Sequence, residues 1–512
     1  MFTSNQIARV AKYIVVAVVL AVLGLLFQSA FAEKEYEISA FLAFSILAIA
    51  FTYLTNKSTP LKFFLPGLLF LAAFVIGPIL YTLVMSSFQY QTGNYISKEQ
   101  AIERITKLGV EADPANTTFD VVIGKVEGGK VALLASDPFT TKRYFLSTTT
   151  YLIPLDPATL KLNADGIAQS APGFKALSQS QLTNLKREVI EAKYKFESPY
   201  FLLLEGTELA AVKKQRLKYD AAADQFVDSI DNIMFVDNGR GNFAQVNNTE
   251  NILQPGWRSP IWFSHYIDLF TNKQVRDPLF RVFIWTVLFA FLTVLTQFAL
   301  GLLVAIAMNK EMRGRRFYRS IFILPYAMPS IMSILIWGGM FDTEFGAINN
   351  LLGTDVAWFQ SPLFARVAVI VVNLWLGFPY FYLVTSGALQ AIPNELSEAA
   401  AIDGASGRQI FSKITLPLLL QIVSPLLVAS FAFNFNNFNL IYLLTGGGPR
   451  NDLDGEVAGA TDILISYTYR IAFGTNIQNL GLASAISVII FIIVAVISFY
   501  GIKKSKVLES FK

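Results

Sequence analysis

The sequence predicts an all-α polytopic membrane protein of eight transmembrane helices, with an extracytoplasmic α+β domain inserted between helices 3 and 4. Three observations carry that prediction. Of 512 residues, 54% are hydrophobic and only 15% are charged, against about 25% charged in a soluble domain, and mean hydropathy is +0.48. Eight segments, 13–32, 38–55, 63–90, 279–308, 321–341, 365–391, 418–445 and 479–502, are apolar and approach the roughly 20 residues that a helix needs to cross a bilayer. One long polar stretch, 91–275, interrupts them.

Composition also removes whole classes of function. Cysteine is absent and His265 is the single histidine. Disulfides, thiolate metal sites and paired-histidine zinc motifs are thereby excluded. The net charge of +4 is too small for a nucleic-acid binder, and no basic run interleaved with aromatics occurs. No Gly-x4-Gly-Lys-Ser/Thr loop exists to cradle ATP phosphates.

The first two segments form a hairpin, 1–62, and 63–90 is the third helix. Residues 14–27 followed by Ala30-Phe31-Ala32 also fit a cleaved leader, so a retained helix and a removed one both stay open at this point. Prolines 78, 325, 329, 379 and 425 fall inside spans. Membrane helices tolerate them where neighbours re-satisfy the freed carbonyls. Orientation follows from charge. Arg9, Lys12, Lys57, Lys62, Lys310, Arg313, Arg315, Arg316, Arg319, Arg408, Lys413 and the tail 503–512 lie in one set of short loops. Only Lys34, Arg450 and Arg470 lie in the other. The positive-inside rule then puts both termini in the cytoplasm and 91–275 outside.

Within 91–275, Ser97 and Gln100 form a capping-box pattern that opens a helix ending at Gly109. Residues 118–126 and 130–135, joined across Gly128-Gly129, read as strand–turn–strand. Leu182, Leu185 and Val189 give one amphipathic face near 180–193. Phe235, Asp237, Gly239 and Gly241 belong to a turn-rich stretch. The segment is long enough for its own core. Gly239-Arg240-Gly241 lacks the third glycine and helix of a dinucleotide loop. His265, in Trp262-Phe263-Ser264-His265-Tyr266, reads as a hydrogen-bonded histidine in an interfacial aromatic belt. The domain reads as a docking surface, with a purely structural insert as the alternative.

The core segment, 279–502, carries almost no ionisable residue in mid-span. Arg281 and Arg366 sit near span ends, where they can snorkel. That pattern disfavours coupling to protons or sodium. Neutral polar groups concentrate in two spans instead. Ser430, Phe433, Asn434 and Asn437 lie at i, i+3, i+4 and i+7, on one helical face. Asn373, Leu376, Gly377 and Tyr380 repeat the arrangement. Amides and hydroxyls bond sugar hydroxyls in both directions, and a glycine lets a ligand approach the backbone. The set therefore suits an uncharged, hydroxyl-rich solute. Interhelical packing through Asn and Gly is the competing reading. Asn436 and Asn439 fall on another face and read as packing residues.

Residues 392–417 run Ile-Pro-Asn-Glu-Leu-Ser-Glu-Ala-Ala-Ala-Ile-Asp-Gly-Ala-Ser-Gly-Arg-Gln-Ile-Phe-Ser-Lys-Ile-Thr-Leu-Pro. Asn394 is a helix cap, Gly404 and Gly407 permit a turn, and a second short helix spans Ile410–Ile414. By composition this is an ordinary interhelical loop. Its spacing, Glu398-Ala399-Ala400, then Gly404, then Ile414-Thr415-Leu416-Pro417, resembles the EAA loop of ABC-importer permeases. Leu324-Pro325-Tyr326-Ala327-Met328-Pro329-Ser330, Trp375-Leu376-Gly377-Phe378-Pro379-Tyr380, Ser430 to Asn437 and Gly446-Gly447-Gly448-Pro449 resemble the maltose/maltodextrin permease subunits of that class. So do the layout of eight spans and the insert after the third.

The resemblance implies binding-protein-dependent transport of maltose or maltodextrins from periplasm to cytoplasm, with no catalysis by this chain. It implies a second permease subunit, two copies of an ATPase that hold ATP and magnesium, and a periplasmic maltose-binding protein. This chain itself is expected to bind no cofactor. Glu398, Ala399, Ala400 and Gly404 are implied as the ATPase-coupling contact. Asn373, Leu376, Gly377, Tyr380, Ser430, Phe433, Asn434 and Asn437 are implied as sugar contacts. A stand-alone carrier or channel, a membrane receptor and a membrane enzyme are the competing classes. The missing mid-span charges, output domain and acid/base constellation count against them in turn.

Overall fold

Apolar stretches become helices here because a bilayer offers backbone N–H and C=O groups no water, so each must bond within its own segment. The computed structural model describes residues 4–504 except 34, 56–58, 138–141, 149–150, 184–188, 190–191, 310–311, 451–456 and 475–477. Each of the eight apolar segments is helical over most of its length. Among the described residues, six helices are long and apolar enough to span: Val10–Ala32, Pro60–Met85, Lys273–Asn309, Pro362–Ala391, Gly407–Phe435 and Leu480–Gly501. A seventh candidate is the pair Arg315–Ala327 and Ser330–Met340, bent by 93°. Ile38–Leu54 is apolar but shorter.

Three segments differ from their expected form. The stretch 321–341 is not one rod, because Pro329 lacks an N–H and drives Met328 to ψ 140°, outside the helical region. The stretch 418–445 breaks after Phe435 at Asn436, and a separate helix, Phe438–Leu444, follows. The third segment ends at Met85 rather than near 90. There Ser86 and Ser87 turn their hydroxyls onto the carbonyls of Leu83 and Val84, competing with the next helical bonds. A π turn, Ala72–Ile76, precedes Pro78 in that helix and absorbs the bond proline cannot make.

The centre of the membrane part is Lys273–Asn309. It buries Trp285, Phe289, Thr293, Gln297 and Ala305, mainly against Pro362–Ala391. Ser4–Ala32 and Tyr36–Leu54 pack on each other and leave most of their apolar surface open, as with Val15, Leu25 and Leu47. Hydrocarbon is a suitable neighbour for such a face.

Among the described residues, the strand-rich region between residues 88 and 260 has two large sheets and two small two-stranded ones. The larger is antiparallel, ordered Tyr194–Lys195, Tyr200–Leu204, Leu209–Gln215, Thr118–Val126, Val131–Asp137, Arg143–Ser147, Leu152–Pro154, with two short strands added at its sides. Its core is Phe119, Leu133, Leu202 and Ala210, none of which is exposed. The second large sheet is a five-stranded meander from Leu217 to Ile252. Its Phe226 and Phe243, together with Trp257 beyond its last strand, pack against Ile105 of the helix Lys98–Leu108. That helix opens with the Ser97/Gln100 capping box and closes at Gly109. The hairpin across Gly128-Gly129 pairs Thr118–Val126 with Val131–Asp137. Of the helix expected near 180–193, Gln179–Leu182 is described, while Leu185 lies outside the described residues.

A neck joins this region to the membrane helices. Phe88–Gln89 pairs antiparallel with Ser259–Pro260. The Tyr266 hydroxyl donates to Ser86 Oγ at 2.8 Å. His265 is 3% exposed, and its Nε2 donates to the Phe88 carbonyl at 3.1 Å. Burial pulls its pKa below the ordinary histidine value, against the opposing pull of that bond. Trp262 and Phe263 beside it are exposed.

Candidate functional site

The sugar-like set converges although its members come from separate helices. Asn373, Leu376, Gly377, Tyr380, Ser430, Phe433, Asn434 and Asn437 all line one cavity of about 610 Å³. Pro362–Ala391 supplies the first four and Leu416–Phe435 the next three. The bend after Ala327 supplies a third wall through Pro325, Tyr326, Met328 and Ser330.

Their roles in the cavity divide. Asn373 and Asn434 are buried, at 4% and 2% exposure. Asn373 Nδ2 donates to Asn434 Oδ1 at 2.7 Å, and Asn434 Nδ2 donates to the Ser430 carbonyl at 2.9 Å. Gln297 Nε2 donates to the Asn373 carbonyl at 2.6 Å. These groups form a satisfied interhelical network, as the packing reading describes. Phe433, 70% exposed, and Tyr380 present the aromatic surface. Tyr380 meets Phe381 edge to face, with centroids 5.2 Å apart.

Two expectations change. Gly377 lines the cavity, but the space of its missing side chain is taken by another residue: a Cβ there would run into the amide of Gln297. The glycine makes room for that side chain. Asn437 does not continue the face of Ser430 and Asn434. It caps Phe438–Leu444, its side chain accepting from the Leu440 N–H at 3.5 Å. Because the helix restarts there, Asn439 turns into the cavity, whereas a continuous helix would carry it to another face. Asn436 stays outside and bonds back to the Ala432 carbonyl at 3.4 Å.

Gln297, Tyr326, Met328, Ser330 and Asn439 are cavity residues that sequence reading missed. The signal was present for one wall: two prolines four apart, 325 and 329, inside an apolar span mark a break. Arg366 was expected to snorkel. Instead it lies over the Trp285 ring at 4.7 Å and donates Nε to the Ala460 carbonyl at 2.8 Å.

The loop 392–417 stands out from the helices. Asn394–Ile402 has no buried residue, and its apolar Ile402 is 86% exposed. Pro393 takes the cap position assigned to Asn394. The helix closes at Gly404, φ +83°, with Ala405 N–H bonded to the Ala400 carbonyl and Gly404 N–H to that of Ala401. That is a Schellman turn, which needs the left-handed conformation glycine adopts without cost. Ser406 and Gln409 then box the next helix. Glu398, Ala399 and Gly404 are exposed and Ala400 half-buried, so the four share one protruding knob.

A family model described as the inner membrane component of binding-protein-dependent transport systems matches residues 297–505. The chain is 33% identical over 511 residues to the maltose/maltodextrin transport system permease protein MalF of Klebsiella aerogenes, covering 96% of each chain. Against the protein of the same description from Vibrio vulnificus it is 34% identical, covering 91% of this chain and 90% of that one. Against that of Escherichia coli (strain K12) it is 32% identical, covering 97% and 96%. A solved bacterial ABC transporter involved in the import of the acidic polysaccharide alginate overlaps 48% of this chain and 84% of its own, at TM-score 0.41 and 23% identity. The apolar helices, the exposed loop and relatives alike over nearly the whole length lead to one conclusion: this chain belongs to the MalF family of permeases, multi-pass inner-membrane subunits of ABC importers.

Proposed function

We propose that this chain forms one transmembrane half of an ATP-driven importer of maltose and maltodextrins. It crosses the membrane eight times, with both termini in the cytoplasm and residues 91–275 in the periplasm. A second permease subunit completes the pathway. Two copies of an ATPase bind ATP and magnesium and receive the knob of Glu398, Ala399, Ala400 and Gly404. A periplasmic maltose-binding protein delivers the sugar to the insert side.

The observation that carries the substrate reading is one cavity lined by all eight residues, seven of them from two separate helices and Asn437 from the cap of a third. Tyr380 and Phe433 offer faces for the apolar side of a pyranose. Ser430, Asn437 and Asn439 offer groups for its hydroxyls, and among the described residues no carboxylate or cation lines the cavity to attract a charged solute. The Asn373–Asn434–Gln297 network braces the wall of which it is part. Exposure of Ile402 beside the loop motif supports docking of another chain there. Transport follows alternating access, in which each partner binds one state better and so shifts the population.

The test is reconstitution in lipid with co-expressed partners and binding protein, reading ATPase activity with and without maltose. Stimulation that needs both binding protein and maltose supports the proposal. ATPase activity indifferent to maltose removes the substrate assignment but keeps the importer. Absence of any co-purifying ATPase overturns the coupling role.

A further inference from the structure

The approach to the bent span concentrates positive charge. Arg313, Arg315, Arg316 and Arg319 fall within seven residues. The helix Arg315–Ala327 starts after Gly314 with no acidic residue in its first turn and no side-chain cap. Cations at a helix N-terminus oppose the macrodipole, so this arrangement favours a bound anion. No ion pair joins any of the four to another described residue. The Nε groups of Arg315 and Arg319 are shielded from water and bonded to nothing. Arg315 and Arg319 are one turn apart on the face that continues to Phe322, whose ring meets Tyr382 at 6.4 Å. On the adjoining face Arg316 is followed by exposed Phe317, Ile321 and Leu324.

We propose that this arginine collar binds the phosphate headgroup of an anionic phospholipid in the cytoplasmic leaflet. Guanidinium forks match phosphate oxygens two at a time. A juxtamembrane basic cluster sits where anionic headgroups lie. The occupant is a lipid rather than a soluble phosphate because exposed apolar side chains, Phe317 at 67% and Leu324 at 59%, run from the arginines toward the hydrocarbon and give acyl chains a contact. The helix so anchored carries Pro325 and Tyr326 into the cavity wall, so the headgroup steadies the cytoplasmic end of that wall. The assignment rests on the orientation proposed above.

The experiment assembles the full complex in nanodiscs of phosphatidylcholine alone or mixed with phosphatidylglycerol. Lipid retained after detergent extraction is counted by native mass spectrometry. The unaltered complex retains phosphatidylglycerol, and the triple variant Arg315→Gln, Arg316→Gln, Arg319→Gln retains it roughly tenfold less or worse. The corresponding triple lysine variant, which keeps the charge but not the paired bonds, retains an intermediate amount, and retention equal to the unaltered complex overturns the guanidinium fork as the recognition element. Equal retention by the glutamine variant overturns the site. Displacement of the lipid by millimolar inorganic phosphate overturns the choice of lipid as occupant. If the triple variant does not assemble, the exposed Arg316→Gln alone carries the test, with a partial loss expected and no loss overturning the proposal. The cysteine-free chain permits a separate check of sidedness. Ser320→Cys is expected to react with a membrane-impermeant maleimide in inside-out vesicles. Reaction only from the opposite face removes the orientation, and with it the leaflet, without touching the retention result.

Discussion

Asn373 donates its side-chain amide to the side-chain oxygen of Asn434 at 2.7 Å, and both residues are buried. This contact joins Pro362–Ala391 to Leu416–Phe435 behind the cavity. Asn373→Ala leaves the Asn434 oxygen without that donor, and an unmet buried group costs about 1–3 kcal/mol. The expected outcome is a lower unfolding temperature of the purified complex together with reduced uptake. An unchanged unfolding temperature would argue that Asn373 contacts solute directly.

Tyr380→Ala and Phe433→Ala act on the cavity face. A stacked aromatic contributes about 0.5–1.5 kcal/mol beyond area, which is roughly two- to tenfold in apparent sugar affinity. Maltose uptake is expected to weaken in each while assembly and unfolding temperature hold. Unaltered uptake in both would remove them from the site.

Gly377→Ala forces a Cβ into the Gln297 amide. Overpacking of this kind costs about 1–3 kcal/mol. Thermal unfolding of the double variant Gly377→Ala, Gln297→Ala decides the cause: shortening residue 297 restores much of the loss if the clash is responsible. A double variant no better than the single one refutes that account.

Glu398→Lys reverses charge on the exposed knob and removes nothing from a core. Membrane insertion is expected to proceed normally, while maltose-stimulated ATPase activity falls. Normal uptake with this variant counts against the coupling role.

His265 links the neck to pH. Its folded pKa lies below the ordinary value because burial disfavours the charged ring. The unfolded chain therefore takes the proton first, and stability declines as pH falls below about 6.5, levelling off only beneath the folded value. Unfolding temperatures measured from about pH 8 down to pH 5 should show that decline. His265→Gln should flatten it, and an equally steep curve in that variant would locate the sensitivity elsewhere.

Much of the architecture was legible because its causes are local. The capping box at Ser97 and the paired glycines 128 and 129 depend on neighbours within a few residues, and each stands where the pattern predicts. Periodicity also found the residues that line the cavity on two helices, since i, i+3 and i+4 share a face whatever surrounds them. It failed past Phe435, where it presumed an unbroken helix. Asn439 was misassigned for that reason and Asn437 was given the wrong backbone setting. The order of the larger sheet was illegible, because pairing of Leu209–Gln215 with Thr118–Val126, some ninety residues away, leaves no local mark.

By itself, the sequence determined that this chain lives in a membrane, that it carries a polar insert after its third apolar segment and that an EAA-type loop protrudes from it. Hydrophobic length, charge and short-range spacing suffice for those. Only the tertiary structure decided which polar residues face the cavity and which bond one another. An asparagine in an apolar helix must satisfy its amide somewhere. Whether it does so on a neighbouring helix, as Asn373 does on Asn434, or remains turned to the cavity depends on how two distant helices pack. The same packing gave Gly377 to Gln297.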